Sequence, residues 1–480
     1  MKIFLTGGTG FIGRALALRL RGGGHQVVAW VRDLERARDL LGSEPSFATG
    51  DEAALAAAME GCDAVVHLAG EPVLPGRWTP ARKQRLRDSR VAFTERLVRV
   101  MGTLKTPPAT FVSASAVGFY GDGGAHTLTE GSAPGAGFLA ALCVDWEAAA
   151  RGAERLGVRT VTPRIGLVLG EGGGVLGPML PAFRLCVGGP IGSGEQAFPW
   201  IHLDDVLEAL VWFVERPGLS GAYNLTAPAP CAQRDFASAL GRRLGRPAVV
   251  PAPAFALRLV LGEAASALLE GQRAVPTRLL EAGFVFRHPT LDSALNACIP
   301  NAQDCALGGV PDGPPAFGAE TLRGLGPNRS LRTAQDIDRP MAEVAAFFGD
   351  VRQLGALSPA ELGLRTRGEP PAMAVGAALV HGMHLGPIPM TWRGRIVAMQ
   401  PGEAFVDVQD SGPYSCWWHL HRFEALGPDR TRVHDEVRYA APLGPIGRLA
   451  GPLFIEPKLR EIFLFRRRAI ERRFRSAGAA

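Results

Sequence analysis

Over residues 1–165, short apolar runs alternate with stretches of helical period. Lys2–Leu5, Gln26–Val31, Ala64–Ala69, Thr110–Ser115 and Arg159–Val168 read as strands, β-branched and aromatic runs bounded by turn residues. Between them, Phe11–Leu20, Leu34–Leu41, Thr79–Met101 and Gly137–Leu156 read as helices; in the first, Ile12, Ala15, Leu16 and Leu20 share one side. This alternation predicts a parallel sheet covered by helices on both faces. From 170 to 297 the pattern loosens into a Gly-rich loop (Gly170–Gly177) and short elements such as Ala222–Leu225, a smaller lobe. Residues 298–328 keep no apolar period and are punctuated by Gly and Pro, which predicts a linker. Beyond about 330 the period becomes two. Ala377–His384, Met390–Met399, Ala404–Asp410, Ser415–Glu424 and Thr431–Tyr439 read as antiparallel strands, preceded by a short helix at Pro340–Phe348 and followed by a long one at Pro452–Phe474. The predicted architecture is an α/β Rossmann-type domain (1–297), a linker (298–328) and an α+β domain (329–476) in which a long helix packs on a sheet.

Composition narrows the function classes. The 480 residues include 60 Gly and 38 Pro without a collagen period, which means many turns. No 18-residue apolar run predicts a membrane span, and the apolar start is too short for a signal peptide. Seven scattered cysteines with no CxxC fit reduced thiols and a cytoplasmic location. The net charge of +6 resides in residues 445–480, where nine Lys/Arg face three Glu. The rest of the chain is neutral, which argues against nucleic acid as a partner. The basic helix, with Arg466–Arg468, Arg472 and Arg473, is either a solvated face or a contact for anionic lipid or an acidic partner.

Thr6-Gly7-Gly8-Thr9-Gly10-Phe11-Ile12-Gly13 follows a strand and opens a helix, the context that makes a glycine motif a dinucleotide site. Gly7 permits the tight turn, Gly10 lets backbone approach a pyrophosphate at the helix N-terminus, and Gly13 lets helix and strand pack closely. At the end of the second strand stand Arg32 and Asp33. A carboxylate there favours NAD and an arginine favours NADP; Arg32 comes first, so NADP(H) is the predicted cofactor, with Asp33 the competing signal.

With His67–Glu71, Ser89-Arg90, Ser113–Ser115, Trp146-Glu147, Arg164–Gly170, Gly189–Gly194, Pro199–Asp205 and Gly271–Arg273, the loop makes residues 1–297 resemble the extended short-chain dehydrogenases. More closely they resemble the nucleoside-diphosphate-sugar epimerase-like subfamily. The resemblance implies that Gly7, Thr9, Gly10, Phe11, Ile12, Gly13, Leu68, Ala69 and Gly70 line the cofactor. It also implies that Arg90 reaches its phosphates or ribose and that Arg164 lies near the nicotinamide. Such enzymes pair Ser or Thr with Tyr-x-x-x-Lys to deliver a proton as charge develops on a carbonyl oxygen. Ser115 fits the serine, but Leu139 and Cys143 stand where Tyr and Lys belong, and no Tyr-x-x-x-Lys occurs in 1–297. Tyr120, Asp145 and His202 are substitute acids to weigh. Tyr120 competes with a role as a cavity aromatic, Asp145 with a solvated helix face, and His202 with a brace before the Asp204-Asp205 helix start. Cys143 reads as a small buried residue.

Phe405–Gln409, Gly412–Tyr414, Trp417–Phe423 and Asp435–Tyr439 resemble the START-like or polyketide-cyclase-like (SRPBCC) domains, helix-grip folds around an apolar cavity. Alternation puts Trp417, His419, His421 and Phe423 on one face and Trp418, Leu420 and Arg422 on the other. Trp392, Tyr414, Trp417, His419 and His421 are the candidate cavity residues for an apolar small molecule; a solid core is the other reading. His419 and His421 share a strand face, but the sequence places no third ligand, so no metal is predicted. Two functions compete: an NADP(H)-dependent oxidoreductase or epimerase-like enzyme with a fused ligand-binding domain, and a non-catalytic NADP(H)-linked ligand sensor or carrier. By analogy with related folds, Thr79–Met101 and Gly137–Leu156 would form a homodimer interface.

Overall fold

The computed structural model describes residues 1–42, 45–74, 76–299, 305–355, 357–359, 362–369, 371–385, 388–442 and 444–474. The chain divides into two compact units, Met1–Ile299 and Pro300–Ala480.

The first unit is built on a parallel sheet. Its strands run, edge to edge, Gly221–Leu225, Arg159–Ile165, Thr110–Ser113, Ala64–His67, Lys2–Thr6, Gln26–Trp30 and Ser46–Ala48. The strands are apolar on both sides because both faces are covered. Ile3, Leu5, Val27 and Ala29 enter one helix-backed core, and Phe4, Val28, Trp30 and Val65 enter the other. Chain direction across the sheet reverses between Lys2–Thr6 and Ala64–His67, so a crevice opens at their carboxyl ends.

The helix expected over Thr79–Met101 is interrupted. Thr79 caps it by accepting the Arg82 N–H at 3.2 Å and Pro80 opens it, but Asp88–Ala92 forms a π turn between Pro80–Arg87 and Phe93–Met101. Such an extra residue re-aims the side chains around it, here Ser89 and Arg90.

The second unit is an antiparallel sheet. Its order is Ala306–Gly308, Arg329–Ile337, Arg430–Ala440, Cys416–Gly427, Ala404–Ser411, Ile388–Gln400, Ala378–Leu385 and Arg365–Thr366, with the helix Gly444–Phe474 in the same unit. The predicted face assignment holds: Trp417 and Phe423 pack toward that helix, while Trp418 and Leu420 form a cluster on the opposite face. Two readings need correction. Within the expected linker, residues 305–328 are folded onto the sheet. Ala306–Gly308 pairs with Ser330–Arg332, and Phe317, Leu322 and Leu325 cover the Trp418 face. A segment without period was read as linker because covering a flat sheet face requires none. In the basic helix, Arg466 is buried against the sheet, while Arg467 and Lys458 pair with Glu471 and Glu461. The side chain of Arg472 lies outside the described residues.

A Cβ built on Gly13 would lie 2.1 Å from Gly7 O. Gly13→Ala should therefore destabilise the first unit by about 1–3 kcal/mol, as overpacking does. Denaturant unfolding of the full chain checks this; an unchanged midpoint would refute the close packing.

Candidate functional site

The glycine turn lies in the crevice. Gly7 has φ +74°, and a Cβ on it would come within 2.6 Å of the Leu68 carbonyl carbon and 2.7 Å of Ala69 N. The turn after the first strand thus rests directly on the loop after the fourth, which places Leu68, Ala69 and Gly70 beside it. Gly10 begins the helix Phe11–Gly22 with no side chain capping it, and its own N–H donates to Gly7 O at 2.9 Å. The first N–H groups of that helix therefore point at the crevice without a side-chain partner, the arrangement that takes a phosphate. Ile12 and Thr9 are half-buried in this turn. Phe11 contributes only backbone there. Its ring packs against Gly170, Gly173 and Gly174, where any Cβ would collide with it.

At the end of the second strand, the two competing residues have separate tasks. Asp33 caps the helix Leu34–Leu41, accepting the Arg36 N–H at 3.0 Å. Arg32 is exposed beside it. Arg90 packs against Gly70, donates to Glu71 O at 2.9 Å and lies 5.3 Å from the Trp146 ring centre.

Further along the sheet ends, Ser115, Glu147, Arg164, Tyr120 and Asn224 form a buried network. Ser115 Oγ donates to Glu147 Oε1 at 2.8 Å. Arg164 grips the same carboxylate with two bonds, Nε at 2.8 Å and Nη2 at 2.9 Å, and its guanidinium lies 3.5 Å from the Phe119 ring centre. A fork on a carboxylate is the strongest geometry such a pair adopts. Arg164 Nη1 donates to Tyr120 Oη at 2.9 Å, and the single Tyr120 proton has two acceptors within reach, Asn224 Oδ1 at 2.6 Å and Thr129 O at 2.9 Å.

Two of the expected site residues have partners inside the protein. Tyr120 is a brace within the protein: it is buried, its bonding capacity is used internally, and burial raises its pKa against the opposing pull of Arg164. Arg164, expected near the nicotinamide, is committed to Glu147 and Tyr120. Glu147 is the hub that sequence reasoning did not select. The available signal was a carboxylate on the helix face that also carries Ala140, Cys143 and Ala150, all buried.

The other candidates are also placed. Burial, with Glu147 adding to it, pushes the Cys143 thiol up to about 12, so it stays protonated and unreactive. Asp145 pairs with Arg87 on an exposed helix face. His202 itself caps the following helix, its Nδ1 accepting the Asp204 N–H at 3.0 Å. Asp205 is no cap: it accepts the Arg287 and His288 N–H groups at 2.6 and 3.2 Å. His67, at the end of the fourth strand, shares a 2.6 Å hydrogen bond with Thr6 Oγ1, and burial lowers its pKa to about 3.

In the second unit, Trp392, Tyr414, Trp417, His419 and His421 all line one cavity of about 810 Å³. Its walls are mainly apolar, among them Phe348, Leu357, Met383 and Phe463. Trp417 meets Trp392 edge-on at 5.0 Å and Tyr414 at 4.8 Å, both between ring centres. His419 and His421 lie among Asp407, Asp435 and Arg466 at one wall.

Comparison with known proteins agrees with the first unit. The model of the NAD dependent epimerase/dehydratase family matches residues 3–226, and that of a domain of unknown function, DUF1731, matches residues 252–298. The Mycobacterium tuberculosis epimerase family protein MT2273 is 42% identical over 294 residues, 61% of this chain and 96% of that protein. The human epimerase family protein SDR39U1 is 38% identical over 304 residues, 62% of this chain and 100% of that protein. A crystal structure of human SDR39U1 (isoform 2) with NADPH superposes with a TM-score of 0.57 at 36% identity, covering 63% of this chain and 100% of that one. MoeE5, in complex with UDP-glucose and NAD, shares the fold at a TM-score of 0.51 and 21% identity, over 62% of this chain and 97% of that one.

Two measurements test these buried groups. Glu147→Gln leaves the Arg164 guanidinium buried without its counter-charge and should cost about 3–5 kcal/mol; thermal or denaturant melting reads it, and a neutral result would dissolve the hub. His67 is neutral when folded and takes a proton near 6.5 when unfolded. The unfolded chain then binds more protons below that pH, so the stability this group contributes is complete above 6.5 and falls with acidification, by about 1.4 kcal/mol per pH unit at the steepest. His67→Gln should flatten the fall between pH 6.5 and 5; an unaltered slope would remove His67 as its source.

Proposed function

Because the chain belongs to the NAD dependent epimerase/dehydratase family, we propose that it is an NADP(H)-dependent oxidoreductase or epimerase-like enzyme whose second unit holds an apolar small molecule. The observation that carries the cofactor choice is the division of labour between Arg32 and Asp33. With the carboxylate drawn into a helix cap, the exposed guanidinium is the group left to meet the adenosine ribose. A planar fork suits a 2′-phosphate. The uncapped start of Phe11–Gly22 binds the pyrophosphate, and Leu68–Gly70 line the cofactor beyond it. Bound there, the cofactor supplies or accepts a hydride. When substrate binds, Ser115 turns its single proton from Glu147 to the substrate oxygen; the Arg164 fork keeps Glu147 paired meanwhile, and Tyr120 holds Arg164 from behind. The second unit is read as a START-like helix-grip domain on the strength of its antiparallel sheet, long helix and apolar cavity.

A second reading has its own support. Cys143, a protonated thiol, stands where a proton relay needs lysine, and Tyr120 is used internally. These favour a sensor or carrier that binds NADP(H) without turnover.

Binding titrations with NADPH and NADH decide the cofactor. Arg32→Ala should weaken NADPH by at least roughly tenfold, the loss of one charged contact, and leave NADH unchanged; equal loss of both would make Arg32 a structural residue. Turnover separates the two functions. With a panel of apolar ketones, aldehydes and sugar nucleotides, an oxidoreductase oxidises NADPH, whereas an epimerase returns its hydride and converts the sugar nucleotide without net oxidation; in either case Ser115→Ala slows turnover by roughly 100-fold, the usual cost of one hydrogen-bond donor at a developing oxyanion. Tight NADPH binding with neither oxidation nor sugar-nucleotide conversion across the panel would select the sensor.

A further inference from the structure

The histidines of the cavity wall have more carboxylate around them than the strand alternation alone suggests. His419 and His421 stand two apart on Cys416–Gly427. Asp407 is paired with His419 on the neighbouring strand, and Asp435 with His421 on the strand beyond. Both imidazoles are bracketed. His419 Nε2 is 3.0 Å and His421 Nδ1 is 3.1 Å from the same atom, Asp435 Oδ1. Their other nitrogens face a second carboxylate oxygen: His419 Nδ1 at 3.5 Å and His421 Nε2 at 3.2 Å from Asp407 Oδ2.

A neutral imidazole has one N–H and one lone pair. If each N–H points at Asp435, the acceptor both histidines share, then the lone pairs of His419 Nδ1 and His421 Nε2 converge on Asp407 Oδ2, which has lone pairs of its own. Three electron-pair donors then meet without a proton between them. The atoms all lie within 4.8 Å of one another. Ligands about 2.1 Å from a metal ion stand roughly 3.0–3.4 Å apart, so the 3.2 Å contact to Asp407 has the required span and the 3.5 Å contact lies just beyond it. The outer pattern is independent of this. Histidines that bind metal donate their second N–H to a carboxylate, which fixes tautomer and ring orientation, and Asp435 stands in that position for both. Arg466, from the helix Gly444–Phe474, lies behind: its Nη2 is 3.9 Å from Asp435 Oδ1 and 3.3 Å from His421 Nδ1. A guanidinium only donates, so in the metal-free chain this contact favours the other His421 tautomer, with the proton on Nε2 toward Asp407; a metal ion at Nε2 displaces that proton and turns Nδ1 to Asp435.

We propose that Asp407, His419 and His421 form a binding site for one divalent transition-metal ion, with Asp435 orienting both imidazoles from outside. Three protein ligands leave coordination positions open, and all three residues line the cavity of the second unit. Two histidines and one carboxylate with open positions suit zinc or ferrous iron. The open positions face a mainly apolar space with Arg466 at its wall, a setting for an oxygen anion carried on an apolar molecule. The metal site itself does not depend on such a molecule binding.

The test uses the untagged full-length protein, stripped with a chelator, dialysed and titrated with zinc alone. One ion per chain should bind with a dissociation constant below about 1 μM. His419→Ala and His421→Ala should each weaken it by at least about 100-fold, and Asp435→Asn by about 10–100-fold, the usual range for an outer-sphere partner. NADPH affinity, which belongs to the other unit, should be unchanged in all three, and unchanged tryptophan fluorescence and far-UV circular dichroism report that the second unit is folded. Cobalt titration of the wild-type protein needs no variant: it should give visible d–d absorption that zinc then displaces. Absence of both stoichiometric zinc binding and the cobalt spectrum in the wild type would overturn the site. So would binding that the histidine variants leave intact. In either case the cluster would be a hydrogen-bonded network of histidine and carboxylate.

Discussion

The first unit depends on one close approach of backbone to backbone. Gly7 turns through positive φ with no room for a Cβ, because the Leu68 carbonyl and Ala69 nitrogen occupy that space, and Gly13 packs as tightly against Gly7 O. This contact brings the turns after the first and fourth strands together where the strand order reverses. It aims the uncapped start of Phe11–Gly22 into the crevice and sets the end of the second strand, with Arg32, at its rim. A side chain at Gly7 or Gly13 would have to push these parts apart.

Away from the crevice, charge is handled by burial in pairs. Arg164 and Glu147 are almost fully enclosed, and such a pair is retained only where geometry satisfies both partners. The fork on Glu147, the Ser115 hydroxyl and the bond to Tyr120 supply that geometry. The aromatic and arginine bracing around Ser115 is supplied from Tyr120 and Arg164, residues on other elements.

Much of this was legible in the sequence. The strand and helix alternation, the glycine turn, the change to period two beyond residue 330 and the inward parity of Trp417, His419 and His421 all follow from spacing within a single element. What escaped depends on contacts between elements. Glu147 meets partners 17 and 32 positions away. Asp407 and Asp435 join the histidines only through strand register, although a carboxylate at an inward position, between Phe405 and the next strand or between Val433 and Val437, was a readable anomaly. The π turn at Asp88–Ala92 leaves the apolar period almost unchanged and so was invisible. Phe317, Leu322 and Leu325 cover a sheet face from an irregular segment, where no period exists to detect.

The central claim is that the crevice over Gly7–Gly13 holds NADP(H) with its 2′-phosphate on Arg32. A crystal structure of the full-length protein with NADPH tests it most directly. The account predicts the pyrophosphate over the backbone N–H groups that open Phe11–Gly22, and the 2′-phosphate within hydrogen-bond reach of the Arg32 guanidinium. A cofactor bound with its ribose hydroxyls on Asp33, or outside the crevice altogether, would contradict it.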